Sequence, residues 1–200
     1  MLNIGRLAPG GADYYLSTVA SGVEDYYTGS GEAPGYWLGE SCATLGLSGQ
    51  VDAAVLHTVL GGADPATGER LTARPRTRPG FDLTFRAPKS VSVLYGLGDK
   101  ATSTVVREAH DVAVEAALGY LQRSAAFSRR GAGGTERAAA DGFVAAGFRH
   151  RSSRAGDPLL HTHVLVANLA RAVDDGRWRT LDATAPVSYT HLTLPTTPYV

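Results

Sequence analysis

Gly142-Phe-Val-Ala-Ala-Gly-Phe-Arg-His150, a polar loop from Arg151 to Pro158, and the run that opens Leu159-Leu-His161-Thr-His163-Val-Leu-Val-Ala167 form the stretch that decides the fold. The composition is β-rich and apolar, and the intervening loop has hairpin length, so the stretch predicts two antiparallel strands, Gly142 to His150 and Leu159 to Val173. Asp175-Gly176 is a hairpin-turn signal and leads into a third strand, Arg177 to Leu181. His161 and His163 are two apart, so on a strand both imidazoles leave the same face. His150 ends the preceding strand, and antiparallel pairing brings it near His161, with Cβ atoms of opposed residues ~5 Å apart. Three imidazoles that meet in this way can hold one cation and leave coordination positions open, which suits a Lewis acid for a phosphodiester. Arg149, Arg151 and Arg154 around the histidines point the same way.

Upstream, Phe81, Leu83 and Phe85 alternate with Asp82 and Thr84 in the period-2 pattern of a half-buried strand, which predicts that Asp82 faces away from the core. Pro88 opens a helix with Val91, Leu94 and Leu97 at helical spacing. A longer helix is predicted over Thr102 to Ala125, with Val106, Ala109, Ala113, Ala117 and Tyr120 along one stripe. Gly131 to Gly134 reads as a loop, Val51 to Leu60 as a helix, and Ala12 to Ser21 as a short helix broken at Gly22 before a second segment, Val23 to Tyr27. Strands on both sides of central helices give an α+β domain with an antiparallel sheet flanked by helices.

The chain has 200 residues, 44% of them hydrophobic, enough for one sizeable core. Lys+Arg and Asp+Glu both number 19, so no global field marks a nucleic-acid partner and any such contact must be local. The densest basic cluster is Arg70, Arg74, Arg76, Arg78, Arg86 and Lys89. With Tyr36, Trp37 and Trp178 it can hold a phosphate backbone and stack bases, or else serve as a solvated face with core aromatics. The single cysteine, Cys42, and the absence of a leader-like start fit a reducing cytoplasm, and no apolar run approaches the ~20 residues of a membrane span. His57 and His110 lie in helical patterns and read as packing or surface residues. After Pro186 the character changes. Val187-Ser-Tyr-Thr-His-Leu back-translates onto a transposon-end sequencing adapter, so residues 187–200 are expected to be adapter translation and 1–186 a domain cut short at its C-terminus. His191 and Tyr189 therefore receive no role.

Four of the nine tyrosines stand in two pairs, Tyr14-Tyr15 and Tyr26-Tyr27. These pairs carry a family resemblance together with Leu45-Gly-Leu-Ser-Gly-Gln-Val51, Phe81-Asp-Leu-Thr-Phe-Arg-Ala-Pro-Lys-Ser-Val-Ser92, Phe148-Arg-His150, Asp157-Pro-Leu-Leu-His-Thr-His163 and Asn168. Over nearly all of residues 1 to 186 the chain resembles the relaxase domain of the MobF class, the TrwC/TraI-like conjugative relaxases. The resemblance implies the histidine-rich (HUH) nicking fold. It also implies a divalent metal on His150, His161 and His163, with Mg²⁺ or Mn²⁺ admitted and Zn²⁺ also suited to imidazole.

It further implies single-stranded DNA at an origin of transfer as partner, other conjugation proteins alongside, and a monomer. Tyr14 would attack the scissile phosphate and leave a 5′-phosphotyrosyl link and a free 3′-hydroxyl. Tyr15 belongs to the same pair, and Tyr26 would serve a later strand transfer, although the pairs start 12 residues apart, longer than the family's usual spacing. A phenol is a weak nucleophile at neutral pH, and Asp82 would either accept its proton or orient a metal histidine. Two other functions fit the residues: a metal hydrolase that uses activated water, and a DNA-binding module in which the histidines only staple a hairpin.

Overall fold

The computed structural model describes residues 1–17, 33–73, 77–131, 134–153 and 155–182. Its centre is a five-stranded antiparallel sheet in the order β1-β3-β7-β6-β2, built from β1 (Leu2–Leu7), β2 (Tyr36–Leu38), β3 (Gly80–Arg86), β6 (Ala145–Ser152) and β7 (Pro158–Ala167). Two short ribbons stand apart from it, β4 (Phe127–Arg130) with β5 (Glu136–Ala139) and β8 (Ala170–Arg171) with β9 (Trp178–Arg179). The expected strand from Leu159 to Val173 is thus two strands. Its first part joins the main sheet, and its last residues turn away to pair with β9 across Gly176, whose φ of 67° is the left-handed value such a turn requires. The Gly131–Gly134 loop joins β4 and β5, whose short polar sequences gave no strand signal.

Both faces of the sheet are covered. One carries α3 (Lys89–Leu97) and α4 (Lys100–Ala125); the other carries α1 (Ala12–Ser17), a 3₁₀ turn (Glu40–Leu45) and α2 (Ala53–Gly61). Phe81, Leu83, Phe85, Val164 and Val166 pack against Val114, Leu118 and Leu121 of α4, whereas Ala146, Phe148, Leu165 and Ala167 pack under Tyr15, Leu56 and Val59. The alternating pattern of β3 therefore does not mean that Asp82 looks into solvent. It points away from the core of Phe81, Leu83 and Phe85, as the alternation predicts, and into the second layer, where the site lies.

Asp52 and Asp99 cap α2 and α4 by accepting from the Val55 and Thr102 amides. The buried stripe of α4 is His110, Val114, Leu118, Leu121 and Ala125, not the alanine-rich stripe expected. Tyr120 is 47% exposed, because alanines run around this helix and the sheet receives its larger branched side chains instead. On α3 the expected apolar face is also turned out, with Leu94 and Leu97 exposed. This helix is held by polar contacts: Ser92 is fully buried, and its hydroxyl donates to the Pro88 carbonyl and accepts from the Leu160 amide. Leu118, 2% exposed at the middle of the α4 core, is the position where truncation is costly. Leu118→Ala is expected to lose about 2–5 kcal/mol of unfolding free energy in urea denaturation.

Candidate metal centre and tyrosine pair

The β6–β7 register pairs His150 with His161 and Phe148 with His163, so the three imidazoles share one face, as the hairpin length predicted. Their ring centroids are mutually 5.1 to 5.2 Å apart, and one nitrogen from each lies within 4.8 Å of the others. Each ring is oriented differently. Nδ1 of His161 donates to the Leu159 carbonyl at 2.8 Å, which can only accept, so its Nε2 carries the lone pair. Nδ1 of His163 lies 2.9 and 3.0 Å from the two oxygens of Asp82, which fixes the same tautomer, with Thr84 Oγ1 at 3.3 Å. Nε2 of His150 is buried and has no hydrogen-bond partner.

A buried ring nitrogen without a partner beside two oriented imidazoles fits a divalent cation. The three histidines would hold it, and a buried unpaired donor atom is otherwise costly.

Asp82 reaches His163 diagonally. It pairs with Leu165 across β3–β7, two residues on from His163. Its Oδ2 also accepts the hydroxyl of Tyr15 at 2.8 Å. Tyr15 is 8% exposed and lies against Phe148 and His163, with ring centroids 5.9 and 4.9 Å away. Tyr14, its neighbour on α1, is 48% exposed, and its ring stands edge-on to His150 at 6.4 Å. The geometry thus brings together Tyr14, Tyr15, Asp82, His150, His161 and His163, while Tyr26 and Tyr27 lie outside the described residues.

Thr84 and the Leu159 carbonyl are parts of the site that sequence reasoning passed over. Thr84 shares its face with Asp82, which was the available signal, whereas a backbone acceptor leaves none. Arg149 is on the opposite face, bound to Asp111, so it does not face a ligand of the histidines. Arg74, Arg76 and Arg154 lie outside the described residues, while Arg70, Arg78 and Arg86 are exposed. Lys89 binds Asp157 and the Pro158 carbonyl, tying α3 to the loop before β7. Trp37 and Trp178 pack partly buried against the core, and the Tyr36 hydroxyl is enclosed and pushed up to about 12 by burial, with Asp111 adding to the shift. His57 pairs with Asp13 on the surface.

Burial pushes the His150 imidazole down to about 4, helped by the neighbouring His163 and His161 and opposed by Asp82. Its folded value lies below the unfolded value of about 6.5, so between these pH values the unfolded chain binds a proton that the folded chain refuses. Stability of the metal-free protein is therefore expected to fall as pH drops from about 6.5 to about 4, by on the order of 3 kcal/mol if His150 alone acts. Chemical denaturation across this range checks it: His150→Gln should flatten the slope, and an unchanged slope would assign it elsewhere.

A sheet that brings three histidines to one point, with a partly buried carboxylate behind one of them and paired tyrosines beside them, defines a candidate metal-site protein with phenols next to the histidine cluster. The TrwC relaxase family model matches residues 8–193, and the chain belongs to that family. It is similar to the multifunctional conjugation protein TraI of Escherichia coli, 37% identical over 164 residues that cover 80% of this chain and 9% of the relative. The protein of the same name from strain K12 is 34% identical over 189 residues, covering 92% and 10%. Among solved structures, conjugative relaxase TrwC in complex with oriT DNA, in its metal-bound form, superposes with a TM-score of 0.77 at 33% identity and covers 95% of this chain and 64% of that one. TrwC complexed with a 27-mer DNA comprising the recognition hairpin and the cleavage site gives 0.74 at 32%, covering 95% and 63%. The chain thus spans about a tenth of the curated relatives and under two thirds of the solved relaxase chains.

Proposed function

We propose that this chain is the catalytic part of a conjugative relaxase, which nicks and rejoins one DNA strand at an origin of transfer by tyrosyl transesterification. The observation that carries the reading is the division of labour within the first tyrosine pair. Tyr15 is buried and committed to Asp82, while Tyr14 is exposed beside His150. The Tyr14 hydroxyl oxygen bonds to the scissile phosphorus, the bond to the 3′-oxygen breaks, the phenolic proton passes to water, and the 3′-oxygen leaves as a hydroxyl after taking a proton. Because one phosphodiester replaces another, the reaction reverses without ATP.

A divalent cation held by these histidines would polarise the phosphate oxygens and offset charge that builds in the transition state. Mg²⁺ or Mn²⁺ is the proposed ion, with Zn²⁺ compatible with an all-imidazole set. His150, His161 and His163 would hold it. The contacts favour Asp82 as the group that orients His163, assisted by Tyr15, over Asp82 as the base for Tyr14. Tyr26 is proposed for a second strand transfer.

The proposed partners are single-stranded transfer-origin DNA and other conjugation proteins, with a cytoplasmic monomer as the acting form. Among the described residues no helix is long and apolar enough to cross a membrane. Residues 187–200 are proposed to be adapter translation, although the family match runs to residue 193, and resequencing through the Pro186 codon decides this. The function is tested by incubating the intact gene product with single-stranded transfer-origin oligonucleotides and running denaturing gels. A protein–DNA adduct that chelator prevents is expected, whereas adduct-free cleavage would mark a hydrolase. No cleavage in Mg²⁺ or Mn²⁺, together with a melting temperature that falls sharply on chelation, would mark a metal-stapled binding module.

A further inference from the structure

On the side of the sheet facing away from the tyrosines, Arg149 and Thr162 form a cross-strand pair, and β3 continues the row with Phe85. This row lies between the two rows that carry the histidines on the other face, His150 with His161 and Phe148 with His163. Two consecutive residues of α4 bind it. His110 Nε2 lies 3.0 Å from Thr162 Oγ1, and Arg149 Nη1 donates to both oxygens of Asp111 at 3.0 and 2.7 Å. Thr162 is fully buried, His110 is 8% exposed, and the Arg149 side chain is 10% exposed. Further along, the same helix packs on the sheet through Val114, Leu118 and Leu121, and near its C-terminal end Gln122 accepts from the Phe143 and Glu40 amides.

An apolar helix–sheet contact has no preferred register beyond shape, whereas directional bonds to one specific pair fix where the helix sits and how far apart the two strands stand. Buried polar anchors cost desolvation, and those at Thr162 and Arg149 stand directly behind the three imidazoles, whereas Gln122 binds backbone amides away from them.

We infer that His110 and Asp111 are positioning residues for the metal centre: by holding Thr162 and Arg149 from behind, α4 sets the spacing of β6 and β7 at which the three histidines converge. The inference rests on the metal reading above, but its test does not depend on DNA cleavage. The probe is Co²⁺, titrated into the full chain and followed by its visible d–d bands, which report affinity and coordination geometry together. In His110→Leu/Thr162→Val and in Asp111→Leu/Arg149→Met both partners of a bond are replaced, so neither end of that bond is left unpaired, which tends to spare stability.

Each double variant is expected to weaken Co²⁺ binding about tenfold, the low end for groups that orient metal ligands, and to alter the band pattern. Leu118→Ala, on the same helix face but away from the histidines, should lower the melting temperature while leaving the dissociation constant within about twofold. If a double variant does not fold, His110→Gln and Asp111→Asn are read in the same way. Wild-type affinity and spectrum in the folded variants would overturn the inference alone, as would an equal loss in Leu118→Ala, which would mean that affinity merely follows stability. Failure of the wild-type chain to bind Co²⁺ would overturn the metal reading and the inference with it.

Discussion

Tyr14→Phe is expected to abolish the covalent protein–DNA adduct and to lower strand nicking by at least about 10³-fold, since removal of the nucleophile leaves only binding and charge stabilisation. The change deletes one oxygen from a side chain that is 48% exposed, so folding should move by less than about 0.5 kcal/mol and the loss will be chemical. Tyr15→Phe separates the two members of the pair. It removes a hydroxyl that donates to Asp82 from a ring 8% exposed, and it should cost about 1 kcal/mol of stability and slow the reaction while the adduct still forms. Rapid-quench nicking and urea denaturation of both variants check this. Equal abolition of the adduct by Tyr15→Phe at full folding would reverse the assignment.

His161→Ala should have an effect of similar size through a different route. It removes the one ligand whose orientation depends on the backbone carbonyl of Leu159 and leaves two imidazoles to hold the ion. The several kcal/mol that a cation contributes to phosphate chemistry correspond to about a 10³-fold loss in rate at 1.36 kcal/mol per decade. Isothermal titration with Mn²⁺ should show the matching loss of affinity. Asp82→Asn is the graded companion: it keeps a hydrogen-bonding group near His163 but removes the charge, and about 10- to 100-fold weaker metal binding is expected, as for other groups that orient metal ligands. Retained nicking in His161→Ala at wild-type metal affinity would show that the ion is not held by these histidines.

Much of this site is legible in the sequence because two strand periodicities carry it. His161 and His163 are forced onto one face by their spacing, and the length of the Arg151–Pro158 loop fixes His150 opposite His161, as the register shows. The α+β class follows from the same strands and the long helix. What the periodicity does not carry is the sheet order. β3 lies beside β7, 81 residues separate Asp82 from His163, and a strand next to a distant partner leaves no local signal. The alternation of β3 places Asp82 away from the core but does not show what covers it. Alternation distinguishes a wet face from a dry one, but Asp82 and Thr84 point into a second packed layer in which polar groups are satisfied by each other and by Tyr15. The faces of α3 and α4 were misread because alanine gives little direction and because Ser92 and His110 are buried through hydrogen bonds, not through apolar character. The second tyrosine pair lies outside the described residues, so its placement rests on the family resemblance alone.

The account stands most directly on where the DNA becomes attached. Peptide mapping by mass spectrometry of the gene product, after reaction with a single-stranded transfer-origin oligonucleotide in Mn²⁺, should find the 5′-phosphorylated DNA remnant on the peptide containing Tyr14-Tyr15, with fragment ions that place it on Tyr14. Cleaved DNA with no modified tyrosine, or a remnant confined to Tyr15 or to another residue, would contradict it.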